Sequence, residues 1–218
     1  MPRGRTQAAP LPRSKARRST ATVRAPEIAA DGRVRRSQRS GQAIVDAVLA
    51  LVGEGVMSPT AQQVSTRAGV GIRTVFRRFA DMESLFGEVD ARIEAEAAPI
   101  LLSGRPQGGV AERARALVRQ RVSLFELIAP FKRAGNLTRW RSPFLQDRHV
   151  RLVRALRDDL MRWLPELRHA PLAAVDALDL ATSFEAWDRL RSEQGLATAR
   201  ARAALERTVL ALVETTGR

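Results

Sequence analysis

The sequence predicts an all-α protein: an N-terminal three-helix domain built on a helix-turn-helix, followed by a longer helical domain. Two observations carry this. Beyond Arg39, apolar residues recur at three- and four-residue spacing, with glycine and proline falling between the periodic runs. Within that pattern the stretch from Thr60 to Phe86, TAQQVSTRAGVGIRTVFRRFADMESLF, carries the capping and turn residues of two short helices meeting at a corner.

The corner is built from few residues. Thr60 can cap the first short helix with its hydroxyl, and Gln63 three residues on can reach back, which makes a capping box. Pro59 keeps Ser58 out of helical geometry and so fixes the start. Val64 and Ala68 face a core, Gly69 supplies a turn position at which positive φ costs nothing, and Val70 plugs the corner. Gly71 opens the second helix, in which Val75 and Phe79 share an apolar edge. Arg73 and Arg77, flanked by Thr74 and Arg78, lie on a different face. A helix so short, with one apolar edge and three arginines, is suited to meeting a polyanion. This is the helix-turn-helix plan, whose second helix presents its first residues to base edges in the major groove.

The remaining elements follow in order. Residues 1–38 are rich in Arg, Pro, Ala, Ser and Thr without periodicity, and are expected to form a disordered basic arm. The arm could follow phosphates or enter a minor groove. Helix 1 is expected from about Ser40 to Val52, with Ile44, Val48 and Leu51 as its stripe. Asp81 is expected to cap a helix running through Leu85, Phe86, Val89 and Ile93 towards Pro99. After the loop SGRPQGG, a long helix carries Leu117, Arg121, Leu124 and Ile128 on one row, and Pro130 is expected to break it. An irregular connection, Lys132 to Pro143, leads to a helix over Phe144–Leu164 with Leu145, His149, Leu152, Leu156, Leu160 and Trp163 on one face. Two last helices are expected, at about Leu172–Gln194 and Thr198–Thr215. The domain boundaries are then 1–38, 39–86 and 87–218.

Composition bounds the function. At 218 residues and 44% hydrophobic the chain can bury a sizeable core, yet no apolar run reaches the length of a membrane span. The absence of cysteine excludes disulfides and thiolate metal sites. The net charge of +14 points to a polyanionic partner, nucleic acid before an anionic membrane surface. Well over half of that charge lies at or before Arg39. No apolar core of a secretory signal is present in the arm.

From Gln42 to Phe86 the chain resembles the DNA-binding domain of the tetracycline-repressor (TetR) family of bacterial transcription regulators. The residues that carry the resemblance are AIVDAVLALVGEG, then Thr60 with VSTRAGVG, then TVFRRF and ADMESLF. It implies a homodimer on double-stranded DNA. Contacts to DNA are expected from Arg39, Thr60, Gln62, Gly71, Ile72, Arg73, Thr74, Phe76, Arg77 and Arg78. Three departures stand out: Phe76 replaces a phosphate-binding tyrosine, Met82 replaces a common lysine, and Gly71 replaces a serine or threonine cap. Each removes a contact that positions the DNA backbone. In the family the last two helices pair with their copies, which places Leu178, Trp187, Leu205, Val209 and Leu212 at a dimer interface. The fourth helix, joining head to body, is the expected lever.

No catalytic constellation stands out. His149 and His169 are the two histidines, and neither HExxH, GxSxG nor a phosphate-loop pattern occurs, so no enzyme, cofactor or metal site is expected. His149, in an apolar row, is either a core histidine or the polar anchor of a ligand site lined by Phe125, Trp140, Phe144 and Phe184. The reading is a cytoplasmic, nucleoid-binding regulator, a repressor released from a palindromic operator by a small apolar effector. Its alternatives are an architectural DNA-binding protein without an effector, and a small-molecule-binding or enzymatic helical protein with a vestigial head.

Overall fold

The structure is a computed structural model, and it describes residues 25–79 and 82–216. Among the described residues all regular structure is helical: α1 Ala25–Gly53, α2 Ala61–Ala68, α3 Ile72–Arg78, α4 Met82–Leu101, α5 Val110–Thr138, α6 Pro143–Trp163, α7 Leu172–Ala181, α8 Phe184–Asp188 and α9 Thr198–Thr216. Short 3₁₀ turns cover Arg139–Arg141 and Pro165–His169, and a π-helical turn covers Arg189–Glu193. The chain divides into two compact units, residues 1–38 and 39–218.

The described part of the first unit, residues 25–38, is helical where a disordered arm was expected. Alanine, arginine and glutamine are strong helix formers, and a helix once nucleated gains a hydrogen bond for each residue it adds. Residues 1–24 of the expected arm lie outside the described residues, as does the expected cap Asp81.

Two hydrophobic clusters organise the second unit. In the first, Ile44, Val48 and Val52 of α1 meet Val64 of α2, Val75 and Phe79 of the α3 end, and Leu85 and Val89 of α4. In the second, Leu117, Val118, Leu124, Phe125 and Ile128 of α5 pack with Leu156, Leu160 and Trp163 of α6, Val175 and Leu178 of α7, Phe184 and Trp187 of α8, and Ala201, Leu205 and Val209 of α9. Ile93 of α4 borders both clusters, and Phe131 and Ala134 of α5 pack on the first. Thus α4 joins the two clusters along the chain, but α5 touches both as well.

That reach exists because α5 does not stop at Pro130. Proline inside a helix forfeits a hydrogen bond and costs about 3 kcal/mol. Ile128 and Ala129 before it and Phe131 and Ala134 after it are buried or half-buried against the two cores, which offsets that loss. The single helix expected over Leu172–Gln194 is instead broken after Ala181. Thr182 Oγ1 donates back to the Leu178 carbonyl (2.8 Å), and Ser183 caps α8 by accepting from the Ala186 N–H (3.1 Å).

A buried polar network ties α4, α5 and α6 together. Arg121, fully buried, donates to Asp159 Oδ2 (2.7 Å) and to the Leu156 carbonyl (2.7 Å). Gln120 donates to the Leu101 carbonyl at the end of α4 (2.7 Å) and accepts from Trp163 Nε1 (3.1 Å).

Candidate functional site

The corner at Gly69 places α3. The Thr60 hydroxyl accepts from the Gln63 N–H (3.2 Å), while the Gln63 side chain accepts from the Thr60 N–H (2.9 Å), completing the capping box. Gly69 sits at φ 64°, in the left-handed region, and closes α2. Gly71, extended and without a side-chain cap, opens α3. Val75 and Phe79 are buried and anchor the helix, which leaves the other positions outward.

The outward positions are basic and apolar together. Arg73, Arg77 and Arg78 are exposed, Ile72 is 38% exposed and Phe76 55%. Arg73 and Arg77 have no acidic partner among the described residues, while Arg78 lies 3.5 Å from Glu88 and over the Phe79 ring. Thr74 is half-buried; Thr60, Gln62 and Gly71 are exposed at the same corner, and Arg39 is exposed on α1. Gln62 is within 3.5 Å of Thr66 Oγ1. Packing is close behind this face: a Cβ at Gly41 would come within 2.6 Å of Arg78 Nε.

A second candidate lies between α4, α5 and α6. It is a cavity of about 500 Å³, within the range of small-molecule sites. Ile93 and Leu101 of α4, Leu124, Ile128 and Phe131 of α5, and Leu152 of α6 give it apolar walls. Lys132, Arg139 and His149 bring polar groups to it. Lys132 Nζ lies 2.6 Å from His149 Nδ1. An ammonium can only donate, so Nδ1 accepts and the ring proton sits on Nε2. Burial first, with Arg139 nearby, pulls Lys132 below its ordinary value, although the Glu185 carboxylate opposes the shift. His149 is likewise lowered, by burial, then by Lys132 and Arg139. Arg148 of α6 also borders the cavity but is neutralised from α4 by Asp90 and by Glu94 at 2.8 Å.

Of the residues expected at a ligand site, only His149 borders this cavity. Phe125 and Phe184 are fully buried in the second core, edge to face at 5.7 Å. Trp140 is 67% exposed with Arg141 stacked on it, and Phe144 is half-buried near Gly87. Phe184 of α8 is not in the lining, and α4, α5 and α6 form the walls. Lys132 and Arg139 were not foreseen, because the row Ile128, Lys132, Gly135, Arg139 exists only if the helical spacing continues beyond Pro130.

The expected dimer residues also need correction. Leu178, Trp187, Leu205 and Val209 are buried in the chain's own core, and Leu212 packs partly against it. A side chain already covered cannot meet a partner. The apolar residues left outward include Leu172 and Leu180 of α7 and Ala203 and Ala211 of α9, while Leu210 is half-buried.

Among the described residues no group of three or more His, Asp or Glu is placed to hold a metal ion, and no helix is long and apolar enough to cross a membrane. No protein-family model and no curated protein matches the chain. Among solved structures it is similar to a transcriptional regulator from Rhodococcus sp. Rha1, at 16% identity and a TM-score of 0.59, over 82% of this chain and 96% of that one. A structure from Mesorhizobium loti, described as a TetR-family transcriptional regulator, aligns over 84% of this chain and 96% of its own, at 19% identity and a TM-score of 0.48, a superposition too loose to carry weight. The first likeness is one of fold: this chain has the all-α architecture, helix-turn-helix and helical body, of a solved transcriptional regulator.

Proposed function

We propose that the chain is a DNA-binding transcription regulator of the TetR type, a homodimeric repressor that a small molecule releases from a near-palindromic operator. The observation that carries this is α3: a short helix fixed by the Gly69 corner, holding Arg73 and Arg77 in solvent with no described acidic partner. Residues 39–86 would form the DNA-binding head and 87–218 the effector-binding and dimerising body. Arg73, Thr74 and Arg77 would read base edges, with Ile72 and Phe76 offering apolar contact to thymine methyls. Arg39, Thr60, Gln62, Gly71 and Arg78 would position the DNA backbone.

The partner is a second copy, paired through the outward faces of α7 and α9 around Leu180, Ala203 and Ala211, and the protein would act in the cytoplasm on the nucleoid. The cavity supports effector release, because its α4 wall leads straight to the head. A ligand there can displace the protein from DNA only through unequal affinity for the two conformations. No catalytic role is proposed. Selection of bound fragments from the native genome tests the reading. A regulator yields a discrete site bound at least about a thousandfold more tightly than random DNA, as a dimer by sedimentation. Equal affinity for site and random DNA would make the chain an architectural protein instead.

A further inference from the structure

The cavity has an electrostatic feature that its apolar walls do not explain. Lys132 has no carboxylate partner among the described residues, and its Nζ is satisfied by the neutral Nδ1 of His149. Arg139, immediately after α5, has a terminal guanidinium nitrogen that is buried without any hydrogen-bond acceptor. The three groups lie close enough for Arg139 to act on both others, and all three border one cavity. Glu185, exposed on α8, opposes their charge only through space. The remaining cations of the wall differ: Arg148 is paired with Asp90 and Glu94, Arg151 is paired with Asp147, and Arg154 stands exposed beside exposed Asp158.

A half-buried cluster of like charge is costly unless an anion completes it. A neutral guest would leave the Arg139 N–H unsatisfied, and a cationic guest would add to the repulsion. The planar guanidinium and the ammonium beside it match a carboxylate, which accepts from both. Beyond that pole Ile93, Leu124, Ile128, Phe131 and Leu152 form an apolar stretch of wall, while Asp90, Glu94, Arg148 and Arg151 are held in ion pairs, so the rest of the guest is apolar.

We propose that the cavity takes an amphipathic monoanion, its carboxylate held among Lys132, Arg139 and His149 and its apolar body lying along Ile93, Leu124, Ile128 and Leu152. This rests on the reading of the cavity as the effector site.

The test uses the full chain without DNA and matched acid–amide pairs: octanoate and octanamide, decanoate and decanamide, 1-naphthoate and 1-naphthamide. Binding is read by tryptophan fluorescence and by the rise in Tm that a native-state ligand produces. At least one acid should bind ten or more times more tightly than its amide. Arg139→Gln and Lys132→Gln, each checked for fold by circular dichroism, should each weaken that acid tenfold or more and leave its amide unchanged. The proposal is overturned if amides bind as well as acids, if the variants weaken both equally, if no member of the panel binds, or if inorganic phosphate displaces the acid. Operator release is read separately. An acid that binds but leaves the operator complex intact upholds the anion site and overturns the effector reading.

Discussion

Arg73 and Arg77 on α3 stand in solvent without a described acidic partner, whereas Lys132 and Arg139 have none while half-buried. The two pairs look alike as sequence and differ in what they can do. An exposed guanidinium keeps its hydration, so leaving it unpaired costs nothing, and it suits a polyanion that binds by releasing counterions. A half-buried cation has lost part of its hydration and is screened little by salt, so it suits one small anion in a fixed place. Burial therefore separates a charge suited to a polyanion from one suited to a single small anion.

The largest expected effect tests whether burial is what decides. Arg121 is fully buried and paired with Asp159. Asp159→Ala leaves that charge uncompensated and should cost about 3–5 kcal/mol in urea denaturation. A loss under about 1 kcal/mol would break the comparison, since burial would then carry no penalty in this chain. Arg73→Ala addresses the exposed side. It should cost about 1–3 kcal/mol on the selected operator and little on random DNA. Equal losses, with the salt slope flattened by about 0.9, would turn Arg73 into a phosphate contact.

Third, the exposed arginines depend on the pose of α3, which the capping box of α2 supports. Thr60→Ala should lower stability by about 1 kcal/mol in the same denaturation measurement. The smallest effect is a pH slope. His149 holds its proton less tightly in the folded chain than its ordinary value of 6.5, through burial, then Lys132 and Arg139, with Glu185 opposing. Below that value the unfolded chain binds more protons, so stability from this group is complete above pH 6.5 and declines as pH falls through it. Melting curves from pH 7.5 to 5.5 should show a shallower decline for His149→Gln than for the parent. Identical slopes would mean the imidazole is not held neutral beside Lys132.

The head was legible because its signals are local. Thr60 and Gln63, Gly69, and the pair Val75 and Phe79 each act within a turn or two, and each stands where the spacing put it. The cavity was illegible for one physical reason. Pro130 was read as the end of a helix, since local chemistry says it costs a hydrogen bond, but the burial of Phe131 and Ala134 against the head's core carries α5 onward. The row from Ile128 to Arg139 vanished with that reading. The interface residues are a different case. Periodicity shows that Leu178, Leu205 and Val209 share apolar faces, but it cannot say whether the same chain or another covers them. Phe125 and Phe184, expected to line a ligand site, instead meet edge to face in the second core.

The 29 residues of α5, unbroken at Pro130, have a consequence for how the protein comes apart. One rod contributes side chains to both cores, so neither core can melt while the other keeps its packing. Heating should therefore give one calorimetric transition for residues 39–218, with the calorimetric and van't Hoff enthalpies equal. A guest in the cavity then protects the corner at Gly69 from local opening to the same degree that it protects its own walls, so amide hydrogen exchange at α2 and α3 becomes a gauge of cavity occupancy.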